Sequence, residues 1–307
     1  MSILIDADTT FIVQGITGRE AVNLTRECLD YGAGAKIVGG VTPGRLGRDV
    51  HGVPVFDTVA QAVEHHGAPI KGSVVTVPPA FTKDAVFEAI VHGIELIVIV
   101  TERIPRGDVA QMVELAASRG ARIIGPNCLG VIVPDVIKMG GIGGPAGDAA
   151  KAYTPGPVGV ISRSGGMTTE MSSTLSAAGL GQSTAVSIGG DAIIGSSYAE
   201  LMPLFEADGQ TEAIVIYTEP GGRMEAELAR YVTEESEHPL PIVAFMAGRF
   251  MDEMPGMSFG HAGTIVEGKE DTATEKIARL ASAGIVVAEE IAEIPALVKE
   301  RMAAVAP

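Results

Sequence analysis

Short apolar runs rich in valine and isoleucine alternate along the chain with segments whose apolar residues recur at helical spacing. This alternation is typical of parallel sheets built from βαβ units. In the first half, the apolar runs predict strands at 10–14, 35–38, 73–77, 96–100 and 121–124. Helices are predicted between them at 19–31, 82–92 and 109–118. The first half therefore predicts one doubly wound, Rossmann-like α/β domain.

A second alternation follows a stretch rich in glycine and proline at 139–157, which we interpret as a linker. Strands are predicted beyond it at 158–162, 183–188, 213–217, 242–247 and 285–287. This pattern predicts a second open parallel sheet of the flavodoxin-like kind. The expected domains are 1–146 and 147–307.

The composition of the chain argues against two classes of binding partner. The 307 residues include 22 Lys and Arg against 38 Asp and Glu, a formal charge of −16 that repels nucleic acid and anionic membranes. No apolar run approaches the roughly 18 residues of a membrane span. The N-terminal residues lack a basic segment followed by an apolar run, so we expect a cytoplasmic protein. The two cysteines, Cys28 and Cys128, lack metal-ligand spacing, and no metal site is expected.

Ligands of open parallel sheets bind beyond the carboxyl ends of the strands, so the turns there are the first places to look for chemistry. After the first predicted strand, the segment 14–21 carries Gly15 and Gly18, which allow a phosphate to approach the free N–H groups of a helix start. A nicotinamide enzyme would offer an acid after the second strand, where this chain has only glycines. Arg45 and Arg48 suit a nucleotide with a 3′-phosphate. The alternative that these are only tight turns stays open.

Other predicted strand ends carry proline or asparagine. Prolines in the segments 77–81 and 101–105 stop their strands and predict a rigid rim for an extended pantetheine-like arm. Asn127 follows the last strand of the first half and is placed to orient a carbonyl or amide, although a structural turn residue is an equally simple interpretation.

In the second half, three strand ends or loops stand out. Ser164 and the glycines after it open a helix and predict a phosphate cradle. Ser164 is a poor nucleophile candidate because position 162 is serine where a nucleophile elbow needs glycine. Glu219 ends an apolar strand, and His261 lies in the glycine-flanked segment 258–264. A carboxylate that accepts the Nδ1 proton of a histidine leaves Nε2 as the nucleophile, so this pair predicts a phosphate acceptor at His261.

Taken together and in order, these motifs resemble the α subunit of succinyl-CoA synthetase and its relatives, the nucleoside-diphosphate-forming acid–CoA ligases. The resemblance spans essentially the whole chain. The matching motifs are Gly-Ile-Thr-Gly at 15–18, Gly-Gly-Val-Thr-Pro-Gly at 39–44, Val-Pro-Pro at 77–79, Gly-Pro-Asn-Cys at 125–128, Ser-Arg-Ser-Gly at 162–165, Glu-Pro-Gly-Gly at 219–222 and Gly-His-Ala-Gly at 260–263.

The resemblance implies a CoA-binding domain followed by a ligase domain, with a phosphohistidine at His261 and its orienting carboxylate at Glu219. It implies that a β subunit with an ATP-grasp fold, in an αβ or α2β2 assembly, holds ATP or GTP with Mg²⁺, and that the phosphoryl group passes to a small carboxylic acid before CoA displaces it. The implied CoA contacts are Gly15, Thr17, Gly18, Arg19, Glu20, Arg45, Val77, Pro78, Thr101 and Glu102. The implied contacts to substrate and phosphate are Asn127, Ser164, Gly165 and Gly166.

Several positions depart from the pattern of this family. Leu129 and Gly166 stand where the family usually has proline and threonine, and Pro220 is also a departure within its motif. Asp252 and Glu253 stand where a basic run is usual. These departures predict an acid other than succinate, such as malate, another dicarboxylate or a sulfonated acid. Two alternatives remain from the sequence: a noncatalytic CoA-binding regulatory subunit and an NAD-binding oxidoreductase. The oxidoreductase is disfavoured because no aspartate or glutamate follows the second predicted strand directly.

Overall fold

The computed structural model describes residues 2–257 and 259–305. The strands of the first sheet are β1 (Thr10–Gln14), β2 (Lys36–Val41), β3 (Asp49–Val50), β4 (Val53–Phe56), β5 (Gly72–Val75), β6 (Leu96–Ile99) and β7 (Arg122–Ile124). The helices along this part of the chain are α1 (Arg19–Leu29), α2 (Val59–His66), α3 (Pro79–Val91) and α4 (Arg106–Arg119). The strand order is β3-β4-β2-β1-β5-β6-β7, parallel except for the β3–β4 hairpin.

The second sheet has the order β14-β13-β12-β10-β11-β8-β9 and is parallel from β14 to β11. Its strands are β8 (Gly130–Val133), β9 (Ile137–Met139), β10 (Pro155–Ser162), β11 (Gln182–Ser187), β12 (Ala213–Thr218), β13 (Ile242–Met246) and β14 (Val286–Ala288). The helices are α5 (Ala146–Ala152), α6 (Gly165–Ala177), α7 (Tyr198–Glu206), α8 (Met224–Arg230), α9 (Ala273–Ser282) and α10 (Ile294–Val305). Shorter helical turns lie at Tyr231–Glu235, Arg249–Glu253, Lys269–Asp271 and Ile291–Glu293.

Strand β1 shows why the strands of the first sheet have continuous apolar sequences. Phe11 and Val13 are buried in one core cluster, and Ile12 between them is buried in another. Both faces of the strand are therefore covered, so its sequence lacks the apolar–polar alternation of a sheet with one wet face.

The predicted fold class is confirmed: both sheets are α/β and mostly parallel. Every predicted strand and helix is present, with its ends within three residues of the prediction. The interpretation of 139–157 as a linker was wrong, because this stretch contains α5 and leads into β10. Helix α5 is rich in alanine and shows little apolar periodicity, yet Ala149 and the following Tyr153 are fully buried.

The chain passes from the first sheet to the second after β7. Strand β8 runs antiparallel to β11, and β9 runs antiparallel to β8. Both strands precede the boundary expected between residues 146 and 147, which stays a prediction. Within the described residues, no helix is long and apolar enough to cross a membrane.

Candidate active site

His261 and Glu219 form the centre of the site. Glu219 directly follows β12, at the carboxyl edge of the second sheet, and His261 lies 42 residues later in the loop before α9. The imidazole Nδ1 lies 2.8 Å from Glu219 Oε2. The carboxylate is nearly buried, whereas 28% of the imidazole is exposed. Because an ionised carboxylate only accepts, Nδ1 donates to it, and Nε2 carries the lone pair.

Backbone from the loop after β11 forms the floor under the imidazole. A Cβ atom on Gly190 would overlap Cγ, Cδ2 and Nδ1 of His261, so this position needs glycine. The N–H of Gly263 donates to the carbonyl of Gly190 at 3.1 Å, and Thr264 closes the turn by donating to the carbonyl of His261. The histidine loop therefore packs directly on the backbone of the loop after β11. Ser258, which opens the predicted segment 258–264, lies outside the described residues.

Arg163 joins this floor to the start of α6. Its buried guanidinium donates from Nη2 to the carbonyls of Gly190 and Asp191, at 3.3 and 3.0 Å. The next residue, Ser164, is the N-cap of α6 and accepts from the N–H of Met167. The predicted phosphate cradle thus begins one residue after a side chain that contacts the histidine floor.

The first turn of α6 has the features of an anion site. The N–H groups of a helix's first turn have no partner within the helix. A side chain on Gly166 would meet open space, whereas a Cβ on Gly165 would overlap the side chain of Leu129. This packing places Leu129, one of the departures from the family pattern, directly at the cradle.

A series of hydrogen bonds links the two sheets. Thr101 donates from Oγ1 to the carbonyl of Val77 at 2.7 Å, and its own carbonyl accepts from the N–H of Asn127 at 3.0 Å. The amide of Asn127 then donates to Asp191 Oδ1 at 2.9 Å. Asp191 belongs to the loop that forms the floor under His261. The predicted contacts Val77, Thr101 and Asn127 are therefore connected to the histidine through backbone and side-chain bonds.

The predicted CoA contacts gather at the carboxyl edge of the first sheet. A mainly apolar cavity of about 790 Å³ lies there, between the ends of β1, β2 and β5 and the start of α3. The predicted contacts among its lining residues are Gly15, Thr17, Gly18, Val77 and Pro78. Gly15 needs to be glycine because a Cβ would lie 2.9 Å from Thr76 Oγ1 and 3.1 Å from the backbone nitrogen of Val77. Phe81, in the predicted proline rim, lines the same cavity and is 63% exposed.

The structure places other predicted CoA contacts outside the lining of this cavity. Arg19 and Glu20 are exposed at the start of α1 and pair with each other at 3.2 Å. Arg45 is exposed on the loop after β2. Glu102 lines a smaller cleft of about 210 Å³ together with Asn127, Asp191 and the residues on either side of His261. This cleft lies where the hydrogen-bonded series reaches the histidine loop.

Cys128 is the thiol closest in sequence to the site residue Asn127, and it is poorly suited to act as a nucleophile. It is buried, and its Sγ donates to the carbonyl of Ile99 at 3.2 Å. Burial raises the pKa of the Cys128 thiol to about 12. The reactive thiolate is therefore scarce at neutral pH.

Sequence reasoning missed Gly190 and Asp191. The signal was present, since Gly-Gly-Asp at 189–191 follows the carboxyl end of a buried parallel strand, where the other site residues were sought. The same edge carries Tyr217, two residues before Glu219. Burial and the neighbouring Glu219 carboxylate raise the pKa of Tyr217, which keeps its hydroxyl protonated.

Comparisons with known proteins agree with this layout. A family model described as CoA binding domain matches residues 6–103, and one described as succinyl-CoA ligase like flavodoxin domain matches residues 155–299. The chain is 43% identical over 300 residues to "Succinate--CoA ligase [ADP-forming] subunit alpha 2" of Archaeoglobus fulgidus, covering 98% of this chain and 99% of that protein. It is 41% identical to the corresponding "subunit alpha" of Aquifex aeolicus, covering 96% and 92%.

Solved structures share the fold. An ATP citrate lyase from Methanosaeta concilii, in complex with (3S)-citryl-CoA, superposes with a TM-score of 0.90 at 23% identity. The match covers 99% of this chain and 51% of that one, so the chain spans about half the length of the lyase. A dinucleotide-forming acetyl-coenzyme A synthetase 1 from Ca. Korarchaeum cryptofilum, in complex with phosphate and ADP, has a TM-score of 0.69 at 19% identity, covering 96% and 59%.

Proposed function

The chain belongs to the family of succinate–CoA ligase α subunits, and from this we propose that it is the α subunit of an ADP-forming acid–CoA ligase. The observation that carries the proposal is the 2.8 Å contact between His261 Nδ1 and Glu219 Oε2, on a partly exposed loop at a sheet edge. It gives the chain an oriented imidazole nucleophile, and the mainly apolar cavity at the first sheet supplies the second half of a ligase site.

The proposed chemistry divides one condensation into three transfers. The Nε2 lone pair of His261 attacks the terminal phosphorus of ATP, forming a P–N bond as the P–O bond to ADP breaks. A carboxylate oxygen of the acid then takes the phosphoryl group, giving an acyl phosphate and restoring the imidazole. The thiolate of CoA attacks the acyl carbon, and inorganic phosphate leaves. Glu219 holds the imidazole in the reactive tautomer, and the α6 start, with Ser164, Gly165 and Gly166, binds the phosphoryl oxygens.

The cavity at the first sheet fits the CoA half of this reaction. Its apolar lining suits the pantetheine arm, and the free N–H groups at the start of α1, next to Gly15, Thr17 and Gly18, suit a phosphate. The thiol end then points along the hydrogen-bonded series from Val77 through Asn127 toward His261. Arg45 and Arg48 are exposed beyond the cavity, where they can meet the 3′-phosphate.

The chain has no Gly-x-x-x-x-Gly-Lys-Ser/Thr loop, and its relatives are named as α subunits, so we place the nucleotide on a partner. We assign this role to a β subunit with an ATP-grasp fold that holds ATP and Mg²⁺, in an αβ or α2β2 assembly. Of the seven large apolar side chains exposed in the described part of the chain, four lie just before His261: Phe250, Met254, Met257 and Phe259. Phe250 and Phe259 stack edge to face at 5.0 Å. Such a patch is typical of a subunit interface.

The decisive test is transfer of labelled phosphate. The complex with its β subunit is incubated with γ-labelled ATP, and the α chain is expected to carry an acid-labile, alkali-stable label. His261→Asn should remove the label, while calorimetry should show unchanged CoA binding. His92→Asn, an exposed histidine on the first domain, is the matched control and should keep the label.

Three results would separate this proposal from its alternatives. Label that persists in His261→Asn would place the phosphoryl group elsewhere. CoA binding with no label on the wild-type complex would favour a noncatalytic CoA-binding subunit. Tight NAD binding without CoA binding would favour the oxidoreductase.

A further inference from the structure

The turn that presents Glu219 to the histidine rests on a buried lysine. Lys276, in the first turns of α9, is 2% exposed. Its Nζ donates to the carbonyl of Glu219 at 3.0 Å and to the carbonyl of Gly221 at 2.5 Å. One ammonium group therefore fixes the backbone on both sides of Pro220. No sequence motif pointed to this residue.

A second contact ties the same turn to the same region. The N–H of Gly221 donates to the carbonyl of Asp271, five residues before Lys276, at 2.9 Å. Gly221 also lies so close to the carbonyl of Gly263 that a Cβ would overlap it. The turn is thus bonded on one side to Asp271 and Lys276, and it packs on its other side against the histidine loop.

The lysine's charge is balanced by a carboxylate that takes no part in the proposed chemistry. Glu225, 1% exposed in α8, accepts from Lys276 Nζ at 2.6 Å and also from the hydroxyl of Thr218. Burial lowers the pKa of Lys276, and Glu225 acts in the opposite direction. Replacing a buried ion pair by apolar residues of similar volume is often neutral or stabilising, so stability alone does not account for this pair.

We propose that Lys276, with Glu225 as its counter-ion, is a positioning residue that sets the Glu219 carboxylate on His261 Nδ1 and thereby selects the reactive imidazole tautomer. The inference rests on the proposed function of His261 as the phosphoryl carrier. Lys276 acts through the carbonyls of Glu219 and Gly221, to which its Nζ donates.

The test removes the ammonium group that donates to the two backbone carbonyls, without leaving a lone buried charge. In Lys276→Met/Glu225→Leu the pair becomes apolar. Glu225→Gln is the matched control, because it removes the carboxylate charge but leaves Lys276 free to bond both carbonyls. Nitrogen-15 NMR of histidine-labelled chain, at about pH 8.5 where an ordinary imidazole is neutral, reports the tautomer. The His261→Asn spectrum assigns the signals.

We expect the Nδ1–H tautomer of His261 to dominate in wild type and in Glu225→Gln, and the Nε2–H tautomer to rise in the double variant. Phosphorylation of the double variant by γ-labelled ATP and the β subunit should slow roughly 10²-fold, the scale of a misplaced catalytic group. CoA binding, measured by calorimetry, should be unchanged.

A folded double variant with the wild-type tautomer ratio and phosphorylation rate overturns the inference. If the double variant does not fold, Lys276→Gln, whose amide keeps two N–H donors on a side chain one bond shorter, takes its place under the same two readouts. Absence of label on wild type would contradict the proposed function of His261, whereas the tautomer measurement would still decide whether Lys276 orients Glu219.

Discussion

Which nitrogen of an imidazole reacts depends on what the other nitrogen bonds. The Glu219 carboxylate, 2.8 Å from Nδ1, is the group that makes this choice. In Glu219→Gln, the amide is uncharged and can turn its NH₂ toward Nδ1, which favours the opposite tautomer. We expect phosphorylation of His261 to slow by roughly 10²-fold or more. Quench-flow with γ-labelled ATP measures the rate.

The control for this variant is CoA binding, which involves the other sheet and should match wild type. Phosphorylation of Glu219→Gln at the wild-type rate would mean that the carboxylate is only a polar cap on the strand end.

Arg45 offers a residue-scale test of the CoA assignment. Its backbone N–H is held by Asp57 Oδ1 at 2.9 Å, while its side chain is exposed. An exposed cation that meets a phosphate contributes up to about 1 kcal/mol, so Arg45→Ala should weaken CoA binding by about fivefold. Calorimetry on the isolated chain should show this loss with CoA and no loss with dephospho-CoA, which lacks the 3′-phosphate. The chain should bind CoA in preference to NAD.

Lys36→Ala is the matched control, because Lys36 is an exposed cation at the opposite end of the same strand, β2. Equal losses for CoA and dephospho-CoA in Arg45→Ala would show that Arg45 contacts some other part of the ligand.

At the scale of elements, the two acidic residues before the histidine, Asp252 and Glu253, differ in their contribution to the fold. Asp252 accepts from the N–H groups of Ala273 and Thr274, at 2.7 and 3.0 Å, and so caps the start of α9. Asp252→Ala should lower the free energy of unfolding by about 1 kcal/mol, the usual cost of a lost cap. Urea denaturation of this variant and of Glu253→Ala, whose side chain is exposed, measures the difference.

Glu253→Ala should unfold like wild type. If the two variants were equally stable, the contacts of Asp252 would add nothing to the helix start. In the sequence, both carboxylates were departures that predicted an acid other than succinate, but the cap explains Asp252 without any contact to substrate.

The apolar pattern predicted ten of the fourteen described strands, because buried parallel strands are continuous apolar runs, and it predicted the helices α1, α3 and α4. The hairpin of β8 and β9 was missed, since its join to β11 depends on pairing between distant segments. The chemistry of strand ends predicted His261, Glu219 and Ser164. Lys276 could not be predicted in this way, because a lysine in an amphipathic helix normally faces water and only the fold buries it.

At the scale of the whole molecule, loops of both sheets meet beside His261, and we propose that the acid enters there. Leu129 packs at the α6 cradle, and Pro220 lies between the two carbonyls that Lys276 holds. Leu129 thus lies at the proposed phosphate cradle and Pro220 next to Glu219, so we expect an acid other than succinate to have the highest kcat/KM. A panel including succinate and malate, assayed with the β subunit, CoA and ATP, tests this.

Leu129→Pro and Gly166→Thr, which restore the residues usual in the family, should move the preference toward succinate. A preference of wild type for succinate by about tenfold or more, the discrimination that a single methylene contact already produces, would show that these positions do not set the choice of acid.

The glycine floor beneath His261 has a consequence for how such an enzyme can change. Gly190 contributes only backbone to the surface under the imidazole, so substitutions in neighbouring side chains leave this seat in place. Leu129 and Gly166 lie at the start of α6, where we propose that the phosphate and the acid bind. The histidine that carries the phosphoryl group and the residues proposed to contact the acid can therefore evolve independently. A lineage can acquire a new substrate by changing the acid-binding residues while the backbone under His261 stays the same.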